Sequence, residues 1–488
     1  MSRSTIPLFP SLTPQDAASV AAVSADWLAA GAAALAALDA ERAREAYQAA
    51  IAGDALAPEA YQGLSAALDM IGRASDALAC RMAALALQSG SALDIYNIGT
   101  AYLMAGRKPQ AESWYRLALR VDPELVVAHR NLAVLLRDTG RADEAQQHAN
   151  AAYCRQYLFD TVPDVLHAAT PTVLLICAAG RGNVPLDLWF APQATRRIEY
   201  MIEYAPVGAD ATMLAALPCS TQVFNAIGDP DVAGPILSRL QAFALRLGRP
   251  MLNPPEAVAH TARDKLPALL AGISDLLVPE VWRVERARCD VLLRQQLNAQ
   301  AAGACLVRPV ATHGGEGLVK VDSIDAVFEH IEHDVAPEFY VTRFYDFRST
   351  DGFFRKYRMI FIDGRPYPYH LAISPTWLVH YFSADMLAHA WKQDEEARFL
   401  SDPQAVLGER AMAVLDAVGS RLNLDYAGID FSQLPDGRIV VFEANATMLV
   451  HPEPKGSILA YKNTQVEVMQ QAFAAMLARR FDRSIAAQ

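Results

Sequence analysis

Three oxygen-bearing side chains near the C-terminus, Asp430, Glu443 and Asn445, have the spacing of a metal site. They flank two apolar runs, Ile429-Asp430-Phe431 and Ile439-Val440-Val441-Phe442, joined at Asp436-Gly437. Asp-Gly between apolar runs predicts a type I′ hairpin, because both central residues must take positive φ. With that pair as the whole loop, Pro435 pairs with Arg438, and Asp430 lies across from Glu443. Asn445, two residues on, shares the Glu443 face. Facing carboxylates repel unless a cation sits between them. Oxygen ligands suit a hard cation such as Mg²⁺, which usually shares them with a nucleotide's phosphates. The competing reading, a solvated edge hairpin with scattered acids, fits poorly with so apolar a strand pair.

The surroundings are those of a large globular chain. Its 488 residues are too many for one core and predict two to four domains. Hydrophobic residues make up 52% and charged residues 20%, which excludes disorder. A net charge of −11 argues against nucleic acid as a partner. The six cysteines are scattered and form no C-x-x-C pair, so reduced thiols and a cytoplasmic setting are expected. No apolar run qualifies as a signal core or membrane span.

The N-terminal third repeats. Gly72, Gly106 and Gly140 stand 34 residues apart, as do Ala43, Ala77, Ala111 and Ala145, and Ala50, Ala84, Ala118 and Ala152. This pattern resembles the tetratricopeptide repeat, a stack of helix pairs with a concave binding face. After a tail at 1–23, four copies fit residues 24–158, at 24–57, 58–91, 92–125 and 126–158. The small residues mark close helix approach, and Trp27, Tyr61, Leu64, Tyr102 and Leu132 are expected to fill the gaps. Ala149, where an aromatic would be expected, marks a capping copy. Such arrays hold a peptide or protein; self-association or support of the second half is the alternative use. Asn97 and Asn131 are the candidate peptide-backbone clamps. A linker is placed at 159–170.

From Pro171 strands alternate with helices, predicting an α/β domain. The expected strands are Thr172–Cys177, Ile198–Tyr204 and Gln222–Ile227, with a helix from Ala233 to Leu247. Gly180-Arg181-Gly182 is only half of a dinucleotide fingerprint, so a nicotinamide cofactor is not expected.

Five patches then give the order of elements. They are Asn253-Pro254 with Arg263-Asp264-Lys265; Arg308-Pro309 ahead of Thr312-His313-Gly314-Gly315-Glu316-Gly317; Glu338–Asp346; Phe354–Arg365, turning at Asp363-Gly364; and the acidic hairpin. Over roughly 171–485 this order resembles the ATP-grasp superfamily of carboxylate–amine ligases. The implied architecture is multidomain, an all-α repeat solenoid followed by an α+β/α/β ATP-grasp fold. Its parts are an α/β domain (171–255), a nucleotide-binding subdomain (256–345) and a C-terminal subdomain with the Mg²⁺ site (346–488).

The resemblance also implies roles. Lys265 and Arg308 reach nucleotide phosphates, Arg308 standing where the family usually has lysine. Gly314, Gly315 and Gly317 let backbone N–H groups approach phosphate oxygens. Thr342, Arg343 and Phe344 form the adenine hinge, with Asp346 as the ribose acceptor. Arg358 meets the transferred phosphate or a substrate carboxylate, and His370 joins it from the return strand. Asp430, Glu443 and Asn445 bind Mg²⁺. The longer segment Ser374–Leu400 is expected to cover the acceptor side. The implied activity joins a small-molecule or peptide carboxylate to an amine at the expense of ATP, through an acylphosphate. A non-catalytic ATP-binding scaffold and a phosphotransferase remain the alternatives.

Overall fold

The computed structural model describes residues 14–486, apart from 163–170, 181, 192–194, 207, 219–220, 290–293, 296, 298–302, 311 and 313. Most of the expected tail and linker, Arg181 and His313 therefore lie outside the described residues. The chain divides into two units, Met1–Tyr157 and Leu158–Gln488.

The first unit is four helix pairs: α1 (Pro14–Ala36) with α2 (Ala40–Gly53), α3 (Pro58–Met70) with α4 (Ala74–Ser89), α5 (Ala92–Met104) with α6 (Lys108–Val121), and α7 (Val126–Asp138) with α8 (Ala142–Tyr153). Alanine-rich stretches favour helix, and side-chain caps at Asp39 and Ser91 start α2 and α5. The eight alanines of the two 34-residue series are all buried, which lets the helices approach closely. Tyr61, Leu64 and Leu132 are buried as expected, but Trp27 is 44% exposed. Trp27 lies on α1, and among the described residues no helix precedes α1 to cover it. In the last pair Ala149 is buried on α8.

Gly72, Gly106 and Gly140 take φ of 76°, 72° and 79° in the turns between paired helices. The equivalent residue of the first pair is Leu38, at φ 59° and 78% exposed. A side chain in this left-handed region costs about 1–2 kcal/mol, and glycine gives back about 0.5–1 kcal/mol as chain entropy. Leu38→Gly is expected to stabilise this unit by about 0.5–1 kcal/mol in urea unfolding. A destabilised variant would contradict that account.

Among the described residues the second unit holds three sheets. The first orders as β1-β3-β2-β4-β5, from β1 (Leu158–Thr161), β2 (Thr172–Cys177), β3 (Arg196–Met201), β4 (Gln222–Asn225) and β5 (Met251–Leu252). Its strands are parallel except β1, which takes part of the expected linker and is pinned by Arg196 to Asp160 at 2.6 and 3.0 Å. β3 stops at Met201, where Tyr204 N–H turns back to its carbonyl. The helix expected from Ala233 becomes regular only at Leu237, after a tight turn at Gly234–Ile236 that holds Pro235, which has no N–H to give. Gly182 O accepts both Gly228 N and Asp229 N, so Gly182 is tied to the segment after β4.

The second sheet, β7-β10-β8-β9, is antiparallel: β7 (Val281–Glu285), β8 (Cys305–Pro309), β9 (Val319–Val321) and β10 (Glu338–Arg343). The third orders as β12-β11-β13-β14-β6, with β6 (Leu276–Leu277), β11 (Phe354–Ile362), β12 (Arg365–Ser374), β13 (Tyr426–Gln433) and β14 (Ile439–Asn445). Asn253 ties the first sheet to the third. It is fully buried, and its side chain bonds Tyr426 N at 2.9 Å and Tyr426 O at 3.0 Å. Before β13 the chain forms two helices, Pro403–Leu407 and Glu409–Leu422, separated at Gly408.

Both hairpins of the third sheet form, by different turns. Asp363 (φ 53°) and Gly364 (φ 74°) make the two-residue loop of β11–β12, with Ile362 paired to Arg365. The β13–β14 loop is not the expected two-residue turn. Leu434 N donates to Arg438 O and Gly437 N to Leu434 O, each at 2.8 Å, and only Gly437 has positive φ. Pro435 is the reason: it cannot donate to a ladder, and its φ suits the second residue of a type I turn, which Gly437 closes. The loop therefore has three residues and shifts the register by one. A bulge between Asp430 and Phe431, opposite Phe442, shifts it back. Asp430 thus still faces Glu443.

Candidate functional site

Cross-strand pairing sets four side-chain positions in a row across the third sheet: His370 on β12, Arg358 on β11, Asp430 on β13 and Glu443 on β14. Arg358 grips Asp430 with Nε to Oδ1 at 2.7 Å and Nη2 to Oδ2 at 3.0 Å. Lys356, on the same face of β11, reaches Asp430 Oδ2 at 3.1 Å. Arg263 pairs with Glu443 from the segment after the Pro255–His260 helix. The acids are thus neutralised by three side chains from two segments, β11 and the residues after the Pro255–His260 helix.

These ion pairs set the charge states. Burial alone would raise the Asp430 carboxyl, but Arg358 and Lys356 hold it well below the usual carboxylate range. Burial and Asp430 push Glu443 up, yet Arg263 leaves it lowered. Both acids are ionised at neutral pH. Burial, with Arg263 nearby, brings Arg308 down to about 10, so it keeps its charge. Its guanidinium bonds Thr312 Oγ1 at 3.0 and 3.2 Å, tying β8 to the glycine loop.

A cleft of about 460 Å³ lies between the second and third sheets. It gathers Arg308, Gly314, Gly315, Thr342, Arg343, Phe344, Arg358, Asp430 and Glu443 from the sequence-derived set. It adds Arg263, Lys356, Trp377, Leu378 and His380. Its five cations (Arg263, Arg308, Arg343, Lys356, Arg358) against two acids suit a polyanion, in a chain whose net charge is −11. The resemblance implies a lysine here and so points to Lys265, but the backbone turns Arg263 inward instead. Lys356 was legible, since it shares the Arg358 face.

Five expected residues stand outside the lining. Lys265 and Asp346 are exposed. Asp346 accepts Arg348 N–H at 3.0 Å. Gly317 sits against Pro309, where a Cβ would come within 2.9 Å of the ring. His370 is 7% exposed and packs on the rings of Tyr369 and Tyr381. Asn445 directs Oδ1 to Thr447 N at 2.9 Å and Thr447 Oγ1 at 3.0 Å.

Burial, then the Arg358 and Lys462 charges, hold the His370 pKa well below 6.5. Below pH 6.5 the unfolded chain therefore takes up a proton that the folded chain refuses. Stability through this group is full above that pH and falls as the pH drops. Urea unfolding between pH 7.5 and 5.5 is expected to lose about 1 kcal/mol by this route, with a flatter slope in His370→Gln. An equal slope in the variant would refute the attribution.

The donor set fits a hard cation in type, with two facing carboxylates and a nearby amide oxygen. Asn445 would have to release one Thr447 bond to join. Among the described residues no cluster of three or more His, Cys, Asp or Glu side chains has the geometry of a metal site.

In the N-terminal unit the two asparagines differ. Asn131 spends its amide on Tyr96 OH at 3.0 Å and Tyr115 OH at 3.1 Å. Asn97 is exposed and lines a groove of about 560 Å³ with Met82, Leu85 and Tyr102, between α4 and α5. Cys80, Cys154, Cys177, Cys289 and Cys305 are free thiols. Among the described residues no helix is long and apolar enough to cross a membrane.

No family model matches the sequence, and no curated protein matches it either. Three solved structures are similar to part of the chain at low identity. One is D-alanyl-alanine synthetase A from Vibrio cholerae, at 14% identity and TM-score 0.40, over 64% of this chain and 100% of that one. Another is D-alanine–D-alanine ligase from Bacillus anthracis complexed with ATP, at 12% identity and TM-score 0.40, over 65% and 99%. A third is a RimK domain ATP-grasp protein from Sphaerobacter thermophilus, at 14% identity and TM-score 0.38, over 63% and 99%.

Proposed function

We propose that this chain is an ATP-dependent carboxylate–amine ligase of the cytoplasm. The observation that carries the reading is one cleft in which the glycine loop, Arg308, Lys356 and Arg358 meet the facing acids Asp430 and Glu443. Carboxylate is a poor electrophile, and joining it to an amine in water is uphill. Transfer of the ATP γ-phosphoryl group makes an acylphosphate: a carboxylate oxygen attacks phosphorus, and ADP departs with the electrons of the broken P–O bond. The amine nitrogen then attacks the acyl carbon, phosphate leaves with the C–O electron pair, and the nitrogen gives up its extra proton to the departing phosphate or to solvent.

In this reading Arg308 and the Gly314–Gly315 backbone hold phosphates, while Arg358 and Lys356 neutralise the transferring group and orient the carboxylate. Asp430 and Glu443, joined by Asn445, would hold Mg²⁺, which would offset phosphate charge. The Thr342–Phe344 hinge takes the base. The repeat groove beside Asn97 holds a peptide or protein substrate.

One observation favours a second reading, a non-catalytic ATP-binding scaffold: protein cations already balance both acids. The test is ADP release with Mg²⁺ across a panel of carboxylates, with hydroxylamine present to trap acylphosphate as hydroxamate. The ligase reading expects carboxylate-dependent ADP and hydroxamate. ATP binding without turnover would favour the scaffold. Phosphate retained on a stable product would make the protein a phosphotransferase.

A further inference from the structure

The connection after β12 brings to the cleft a side chain that the reading above does not use. It leaves the sheet at Ser374, whose Oγ accepts Thr376 N–H at 3.1 Å. It is anchored from the Ala390–Ser401 helix by Lys392 Nζ to Ala384 O at 2.6 Å and Gln393 Nε2 to Met386 O at 2.9 Å. Trp377, Leu378, Val379 and His380 line the cleft, Val379 being buried.

This connection stands against the glycine loop. A Cβ added at Gly314 would lie 3.7 Å from His380 Nε2, and one at Gly315 would lie 3.6 Å from Leu378. Gly314 and Gly315 both have positive φ, at 62° and 82°, a backbone that presents N–H groups to an anion. Lys356 and Arg358 line the same cleft from β11. At the other end Trp377 meets the Phe344 ring edge-on at 5.9 Å, and Lys320 Nζ lies 4.0 Å from that ring's centre. One anchored connection therefore touches both the base end and the phosphate end.

We propose that His380 is a recognition residue for the terminal phosphate of the bound nucleotide, closing the phosphate pocket opposite the glycine loop and beside Lys356 and Arg358. The imidazole Nε2–H donates a charge-assisted hydrogen bond to a γ-phosphate oxygen. The site thereby favours triphosphate over diphosphate. The inference rests on the nucleotide reading of the cleft.

The test is calorimetric titration at pH 7.5 with Mg²⁺ and either the non-hydrolysable triphosphate AMPPNP or ADP. His380→Ala is expected to weaken AMPPNP binding roughly 10-fold and to change ADP binding less than about 2-fold. His380→Gln, which keeps an N–H near the Nε2 position, is expected to restore most of the AMPPNP affinity. Equal loss for both nucleotides, or no loss for either, would overturn the proposal while leaving the nucleotide cleft standing. Wild-type protein that binds neither nucleotide would remove the cleft reading, and this proposal with it.

Discussion

Glu443→Gln is expected to lower Mg²⁺-dependent ADP release by about 10²–10³-fold, the loss typical of removing one preorganised electrostatic partner, while leaving the protein folded. Glutamine is the informative replacement because of Arg263, whose side chain is only 20% exposed. Alanine would strand that guanidinium, and breaking a buried pair costs about 3–5 kcal/mol, so lost activity could be blamed on lost fold. Glutamine keeps an acceptor for Arg263 and nearly the same volume. It removes one charge from the facing acids. The readouts are ADP release with hydroxamate trapping, and unfolding temperature in parallel. A wild-type rate from a folded Glu443→Gln protein would exclude these acids from the chemistry.

The second large effect is on stability. Arg358→Met is expected to destabilise the C-terminal unit by about 3 kcal/mol, because it leaves Asp430, 2% exposed, without its two-pronged partner. Lys356 stays at 3.1 Å, which puts the loss at the low end for a broken buried pair. Arg358→Met with Asp430→Leu is expected to recover most of it, since apolar groups of similar size carry no desolvation cost. Urea midpoints of the single and double variants give the coupling. A single variant within about 0.5 kcal/mol of wild type would show that this pair does not hold the strands.

These ion pairs also revise the argument for a metal. Facing carboxylates demand a cation between or beside them. The demand is met by Arg358, Lys356 and Arg263, none of which is near Asp430 or Glu443 in the chain. A metal is therefore not needed to hold the fold. In the proposed function it belongs with the phosphates, whose added negative charge gives these cations a second partner.

The 34-residue period was legible because every helix pair must bury the same small positions, and the chain alone shows where they recur. The exposure of Trp27 was not, since it depends on what packs before α1. Alternation along β11 placed Lys356 with Arg358, and Asp363-Gly364 announced its own turn. The acidic hairpin was legible in its pairing but not in its path. A three-residue loop and a bulge offset each other, and local turn preference does not foresee the bulge at Phe442.

What order along the chain decides here is periodic or local: helix pairs, strand faces, and the types of residue that end near the cleft. What folding alone decides is which of several like residues turns inward. Arg263 and Lys265 are two residues apart and both cationic, yet one meets Glu443 and the other meets solvent. His370 and His380 divide the same way, one in the wall and one on the cleft. The cause is physical: burial and charge pairing are properties of neighbours in space, and those neighbours come from strands and loops far apart in the chain.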